Sequence, residues 1–392
     1  MEKLRIIVGG FIGLYPTGGV TWDYIQYPLG LKILGHDVYY IEDTIQFPKF
    51  QKDGRNWDDA ADSIAYLKST MEKFGMGDRW AYRDIASGNC FGLPINKVKE
   101  LCKTADVFIN VSASTFLREE YLKIPKRILI DSDPMFTQIE YYHEKFVKEN
   151  SDQYKMKFIV ENHTHHFSFG ENIQSKECKV PTFGFNWIAT RQPVCIEYWK
   201  ENSLISKPSS FTSVMNWSVR PNLVFDNQEW GQKNIEFEKF VNIPNKFPEA
   251  TFEIMITGTT KEKEEEIRKG GWKVSDPLKA ISSSEAYQNF IASSGAEFSV
   301  AKETYVKSNS GWFSCRSACY LAAGKPVITQ DTQWSKFIPS GRGLFAFSDM
   351  QSATEAIAEV ISNIEKHSKA AREIAEEYFD SNKVLTAMIT RL

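Results

Sequence analysis

The sequence predicts an α/β protein built as two domains. Short apolar runs alternate with stretches of helical spacing. Most of these runs end in glycine or polar residues, as strands do at the carboxyl edge of a parallel sheet. The chain has 392 residues, more than one hydrophobic core organises. Residues 308–331, SNSGWFSCRSACYLAAGKPVITQD, complete the case. They read as a polar turn, a helix over 312–323, a glycine cap at Gly324, a buried strand over 327–329 and a polar loop.

In the first half, a strand over 4–8 leads into the glycine-rich loop 9–19. A helix over 22–34 follows, capped by Thr21, and a strand over 37–41 closes one βαβ unit. The glycines do not fit G-x-G-x-x-G, so no dinucleotide fingerprint is read. Residues 46–94 are irregular and aromatic, with helical spacing over 57–74. They read either as an insertion beside a ligand crevice or as cover for a sheet edge. Strands over 106–111 and 127–131 end in Asn110, Ser112 and Ser114 and in Asp131 and Asp133. The apolar run 158–160 is read as a further strand, leading into His163, His165 and His166. On that reading Asp133, His165 and His166 line one crevice and are the candidates to take a proton from a hydroxyl. No Asp, Glu or Cys at ligand spacing completes a metal set with the histidines.

Proline and serine around 181–208 mark a linker, with the boundary at Ile205 and Ser206. The domains expected are 1–205 and 206–379. The second opens with a strand over 211–216, continues through a helix over 234–241 and a strand over 252–257 ending in Thr257-Gly258, and includes a strand over 296–301. The charge run 261–269 alternates in sign and reads as a solvated helix face. Helices are expected over 350–366 and 368–379. The helix starting near Ser314 directs backbone N–H groups and a partial positive charge at an anion such as a diphosphate. Arg316 offers a forked donor to the same anion, and Lys307 a further cation.

A net charge of −3 makes no whole-chain case for nucleic acid or anionic membrane. Six cysteines stand singly, without a C-x-x-C pair, and read as reduced thiols. No signal peptide or run of membrane-spanning length is read, so a cytoplasmic protein is expected.

Residues 316–326, RSACYLAAGKP, resemble the R-x-F-E-A-x-A-x-G-x-P pattern in the nucleotide-sugar site of GT-B glycosyltransferases. Trp230-Gly231-Gln232-Lys233 and Gly18-Gly19-Val20-Thr21-Trp22 extend the resemblance. It implies two Rossmann-like α/β/α domains facing a central cleft, with residues 380–392 crossing back to the first. It also implies transfer of a sugar, most simply from a uridine diphosphate sugar, to an acceptor hydroxyl, without metal or other cofactor. The donor contacts implied are Gly18, Gly19, Thr21, Asn216, Lys233, Thr257, Gly258, Lys307, Ser310, Gly311, Trp312, Ser314, Arg316, Asp331 and Thr332. Many retaining members carry two glutamates spaced E-x7-E; here those positions are Gly311 and Cys319. Asp131-Ser132-Asp133 keeps a D-x-D spacing in view. The acceptor is open: small molecule, glycan, lipid, protein or modified nucleobase. So are the oligomeric state and the stereochemical course. Two other readings stand beside transfer, a sugar-nucleotide epimerase of the same fold and an inactive nucleotide-sugar-binding protein.

Overall fold

The computed structural model describes residues 2–49, 58–147, 156–199, 210–218 and 221–392. Trp57 and the boundary expected at Ile205 and Ser206 lie outside these. Two compact units result: unit 1 is Met1–Phe169, Thr182–Cys195 and Ser381–Leu392, and unit 2 is Gly170–Pro181 and Ile196–Asp380.

Unit 1 holds β1 (Arg5–Gly9), β2 (Asp37–Glu42), β3 (Trp80–Arg83), β4 (Cys90–Gly92), β5 (Val107–Val111), β6 (Lys126–Asp131), β7 (His165–Ser168) and β8 (Trp187–Ala189). They lie in the order β4-β3-β2-β1-β5-β6-β7-β8. The pairings β1–β2, β1–β5, β2–β3, β5–β6, β6–β7 and β7–β8 are parallel, and the edge strand β4 is antiparallel to β3. Ile6, Ile7 and Val8 are wholly buried, as a parallel strand covered by helices on both faces requires. Strand order reverses between β1 and β5, so a ligand crevice belongs outside their carboxyl ends.

Unit 2 holds β9 (Ser210–Asn216), β12 (Thr251–Thr257), β13 (Lys273–Ser275), β14 (Ala296–Ser299), β15 (Val327–Gln330) and β16 (Leu344–Phe347). Between β9 and β12 a small antiparallel hairpin intervenes, β10 (Leu223–Phe225) with β11 (Gln228–Trp230). The sheet runs β13-β12-β9-β14-β15-β16, and every pairing in it is parallel. Counted within the unit this is the doubly wound order 3-2-1-4-5-6, with its switch point between β9 and β14. Aromatic packing fills one face. Phe298 and Phe347 stack at 5.1 Å, Phe211 and Phe252 at 5.0 Å, and Trp272 lies 5.2 Å from Phe237.

Several sequence expectations are corrected by the local structure. The run 158–160 is not a strand but the middle of a helix, Met156–Asn162. Three apolar residues fit a helix face as well as a strand, and here Ile159 and Val160 are the helix's buried residues. The first helix begins at Gly18, not after Thr21, and runs to Ile33. Thr17 is its extended N-cap residue, while Thr21 lies inside it and donates its hydroxyl to Thr17 O at 2.9 Å. Within the stretch read as an insertion or as sheet-edge cover, the helix Ala61–Lys73 leads into β3, parallel to β2. The helix expected over 312–323 begins only at Cys315 and ends at Ala322. Gly311, in the left-handed region at φ +76, turns the chain just before it.

The terminal helix Ser381–Ile389 packs on Gly18–Ile33 within unit 1. Their approach leaves no room at Gly30, where a Cβ would stand 2.6 Å from Leu385 Cδ1. Among the described residues, no helix is long and apolar enough to cross a membrane.

Candidate functional site

In unit 2 the carboxyl edge gathers most of the residues singled out from the sequence. Asn216 ends β9 and accepts the Thr257 hydroxyl from the end of β12. Trp217 N donates to Thr257 O at 2.8 Å, and Gly258 turns the chain away at φ +71. Lys233 opens the helix Lys233–Glu238, with Gln232 as its N-cap residue. That helix is fixed over the sheet edge, because Glu303 Oε2 accepts Gly231 N at 2.7 Å and Glu236 Oε2 accepts Gln330 Nε2 at 2.6 Å.

The helix Cys315–Ala322 begins at the extended N-cap residue Ser314. An α-helix cannot satisfy its first-turn N–H groups internally, so this end carries donors and positive potential. The loop before it is held firmly. Ser310 is wholly buried and its hydroxyl accepts Trp312 N at 3.3 Å. Gly311 N donates to Thr332 O at 2.7 Å, and the Thr332 hydroxyl donates to Trp312 O at 2.7 Å. Trp312 stacks on Tyr305 at 4.3 Å. From the far side comes the segment Gly170–Pro181. Asn172 N donates to Ser310 O at 3.0 Å, Asn172 Nδ2 to Asn309 O at 2.8 Å, and Lys179 N to Ser308 O at 2.8 Å. No local pattern in the sequence signals these contacts, which join residues more than a hundred positions apart.

Three donor contacts expected from the sequence are engaged elsewhere. Arg316 donates from Nε to Glu297 Oε1 at 2.6 Å, from Nη2 to Ser299 Oγ at 2.6 Å and from Nη1 to Val214 O. Its guanidinium therefore ties β9 to β14 at the switch point rather than opening a fork to a ligand. Burial works against its charge, and the Glu297 carboxylate more than offsets that, holding the guanidinium above its ordinary range. Lys307 donates to Glu229 O at 2.6 Å and lies over the Trp230 ring at 4.8 Å. Asp331 accepts Gln333 N at 2.8 Å and the Ser335 hydroxyl at 2.7 Å, so it shapes its own turn. Lys233 is different. Burial first, and the neighbouring Arg316 second, pull its ammonium well below the usual lysine range against the opposing charge of Glu297, and among the described residues no hydrogen bond to it adds to that opposition.

Unit 1 presents its glycine-rich loop at the carboxyl edge of β1, with Gly18 and Gly19 forming the first turn of the helix that follows. A group not foreseen from the sequence lies beneath that loop. Glu42, wholly buried at the end of β2, accepts Gly13 N at 2.9 Å, Leu14 N at 2.5 Å and the Tyr40 hydroxyl at 3.0 Å. Burial pushes its carboxyl up to about 7 against the pull of these donors. A Glu at the end of a predicted strand, beside a glycine loop, was the available signal.

The candidate proton acceptors separate. Asp131 is buried and accepts Thr137 Oγ1 at 2.7 Å, Gln138 Nε2 at 2.9 Å and Ser168 Oγ at 2.8 Å. Asp133 follows it, half-buried, at the carboxyl edge. His165 and His166 correct the expectation that they share this edge. They start β7, in register with Ile128 and Leu129, whereas Ser168 pairs with Asp131. In a parallel sheet that puts them at the amino end of the strand, towards the opposite edge. His165 Nδ1 lies 2.8 Å from Thr164 Oγ1, and His166 Nε2 lies 2.7 Å from Val160 O. His163 Nδ1 lies 2.6 Å from Ile159 O, and burial lowers that imidazole to about 3.

No family model matches the chain, and no curated protein does. Solved structures do. Alr3699/HepE from Anabaena, in complex with UDP and glucose, is 12% identical, with a TM-score of 0.56 over 99% of this chain and 100% of that one. AviGT4, a glycosyltransferase involved in avilamycin A biosynthesis, is 11% identical, with a TM-score of 0.52 over 99% and 96%. Sucrose-phosphate synthase from Thermosynechococcus elongatus is 9% identical, with a TM-score of 0.53 over 99% and 98%. The whole length of this chain, in two units with parallel sheets, thus has the GT-B glycosyltransferase fold.

Proposed function

We propose that the chain is a glycosyltransferase that takes its sugar from a nucleoside diphosphate sugar, with uridine as the base, and passes it to an acceptor hydroxyl. The observation that carries this reading is Lys233. It opens a helix fixed over the sheet edge by the Gly231–Glu303 and Gln330–Glu236 contacts, and among the described residues no hydrogen bond holds its side chain. Asn216, Thr257 and Gly258 border the same edge, and Ser310, Gly311, Trp312 and Ser314 build the entry to the helix Cys315–Ala322. There the donor diphosphate would meet one cation and one helix N-terminus. As the bond to the sugar breaks, charge grows on the departing diphosphate, and a fixed dipole and an ammonium stabilise it without reorganising. The resemblance to UDP-bound HepE supports uridine as the base.

Arg316 enters as the residue that positions this helix against β9 and β14, and Thr332 as the one that holds its loop. In unit 1, Gly18 and Gly19 are proposed to let backbone approach the donor, with Thr21 bracing their turn from within the helix. Asp133 is proposed as the base that takes the acceptor proton, because it is the member of the original trio placed at the carboxyl edge.

Calorimetric titration with UDP, ADP and GDP tests the donor reading. UDP should bind most tightly, and Lys233→Ala should weaken it by roughly 10- to 100-fold, the worth of one hydrogen bond to a charged group, with little change in unfolding. Equal UDP affinity in Lys233→Ala would remove that residue from the site. Interconversion of donor sugars with no acceptor present would select the epimerase. UDP binding with no turnover across a broad acceptor panel would select the inactive binding protein.

A further inference from the structure

We propose that Glu42 is the positioning residue of the glycine-rich loop in unit 1, a resident carboxylate that keeps the amides of residues 12–14 turned inward. The inference rests on the reading of this loop as ligand-facing, and it specifies which backbone groups the loop withholds. Gly13 N donates to Glu42 Oε2 at 2.9 Å and Leu14 N to Oε1 at 2.5 Å. Ile12 N donates to the Tyr40 hydroxyl at 3.1 Å, and that hydroxyl donates to Oε2 at 3.0 Å. Three successive amides thus end on one carboxylate, two directly and one through a phenol. Successive N–H groups converging on one point make an anion-binding concavity. Here the anion belongs to the chain itself.

The carboxylate depends on the loop as much as the loop depends on it. Glu42 and Tyr40 are wholly buried. The titratable neighbours of the carboxylate are Tyr40 and Tyr82, and among the described residues no lysine or arginine pairs with it. A buried charge without a counter-ion needs hydrogen-bond donors, and the two amides and the phenol supply them. The glycines let the loop lie close enough. A Cβ at Gly10 would stand 2.7 Å from Tyr40 Oη, and one at Gly13 would stand 3.2 Å from Ser63 O and from Tyr82 Cδ2. Neither glycine has a positive φ, so close approach, not backbone conformation, is what favours glycine at both.

The test is amide hydrogen exchange of residues 12–14 in the full chain, at about pH 8, where a carboxyl lifted to about 7 is ionised. Mass spectrometry of peptides spanning them gives the rates. In the wild type these amides should exchange slowly, at rates unchanged by UDP. Glu42→Gln keeps the volume but turns its own NH2 group towards an amide N–H, so exchange should quicken roughly 10- to 100-fold. Exchange in β5 and β6 should stay as it was. Glu42→Ala removes the heavy atoms of an acetate, so added acetate should slow its loop again, where chloride at equal ionic strength does not. Wild-type rates in Glu42→Gln would reduce Glu42 to a space-filling side chain. No response to acetate in a folded Glu42→Ala would overturn the resident anion. Slowing of the wild-type amides by UDP would assign them to the ligand instead. If UDP does not bind at all, the donor reading falls, while the rates in the wild type and in Glu42→Gln still decide this inference.

Discussion

Arg316→Ala is expected to destabilise unit 2 by about 3–5 kcal/mol, the cost of stranding one partner of a buried ion pair. The stranded partner would be Glu297, wholly buried on β14, whose Oε2 has no hydrogen-bond partner among the described residues. Ser299 Oγ and Val214 O would lose their donor at the same time. Since a whole domain is typically stable by only about 5–15 kcal/mol, the effect should be plain in chemical unfolding. Arg316→Lys should recover little, because one ammonium cannot reach three acceptors in the geometry of a planar fork. Replacing Arg316 and Glu297 together with apolar residues should cost less than Arg316→Ala alone. The opposite pattern, wild-type unfolding combined with weakened UDP binding, would return Arg316 to the direct phosphate contact expected from the sequence.

Gly311→Ala should be the second large effect, with a loss above about 2 kcal/mol and a parallel loss of UDP affinity. Two costs combine. A side chain at φ +76 is strained by about 1–2 kcal/mol. The new Cβ would also stand 2.5 Å from Asn172 N and 2.9 Å from Asn172 Cβ, so backbone would have to move. Gly341→Ala provides the control. Gly341 also has positive φ, at +108, but a Cβ there would meet nothing within 4 Å, so strain acts alone. Equal losses for the two substitutions, measured by urea unfolding, would show that the contact with Asn172 carries no weight. The same geometry explains a departure visible in the sequence. Where the resemblance implies a glutamate, the segment Gly170–Pro181 fills the space a side chain would need.

Much of the fold was legible because parallel sheets leave local marks. Runs such as 6–8, 128–130 and 327–328 are apolar throughout, and glycine or polar residues close them at the edge where ligands bind. The strand misread at 158–160 shows where that signal fails. A short apolar run fits either state, and the tertiary packing of Ile159 and Val160 decided it. That one reversal carried His165 and His166 towards the wrong edge, since a strand's direction fixes which of its ends meets ligand.

The site was legible in its backbone and less so in its charges. The glycine turn before the helix Cys315–Ala322 could be read locally, although the helix itself begins three residues later than the spacing predicts. The partners of Arg316 could not, because Glu297 and Ser299 lie on another strand and nothing in their neighbourhood singles them out. Glu42 was hidden for a related reason. Its role depends on the glycine loop folding over it, about 29 residues away in sequence.

The central claim is that unit 2 grips a diphosphate at Lys233 and the start of the helix Cys315–Ala322. Crystals grown with UDP test it most directly. The account predicts phosphate density within hydrogen-bonding distance of Lys233 Nζ and of the first-turn N–H groups after Ser314, with Arg316 still bonded to Glu297. Phosphates bound away from Lys233, or an Arg316 released from Glu297 to reach them, would contradict it.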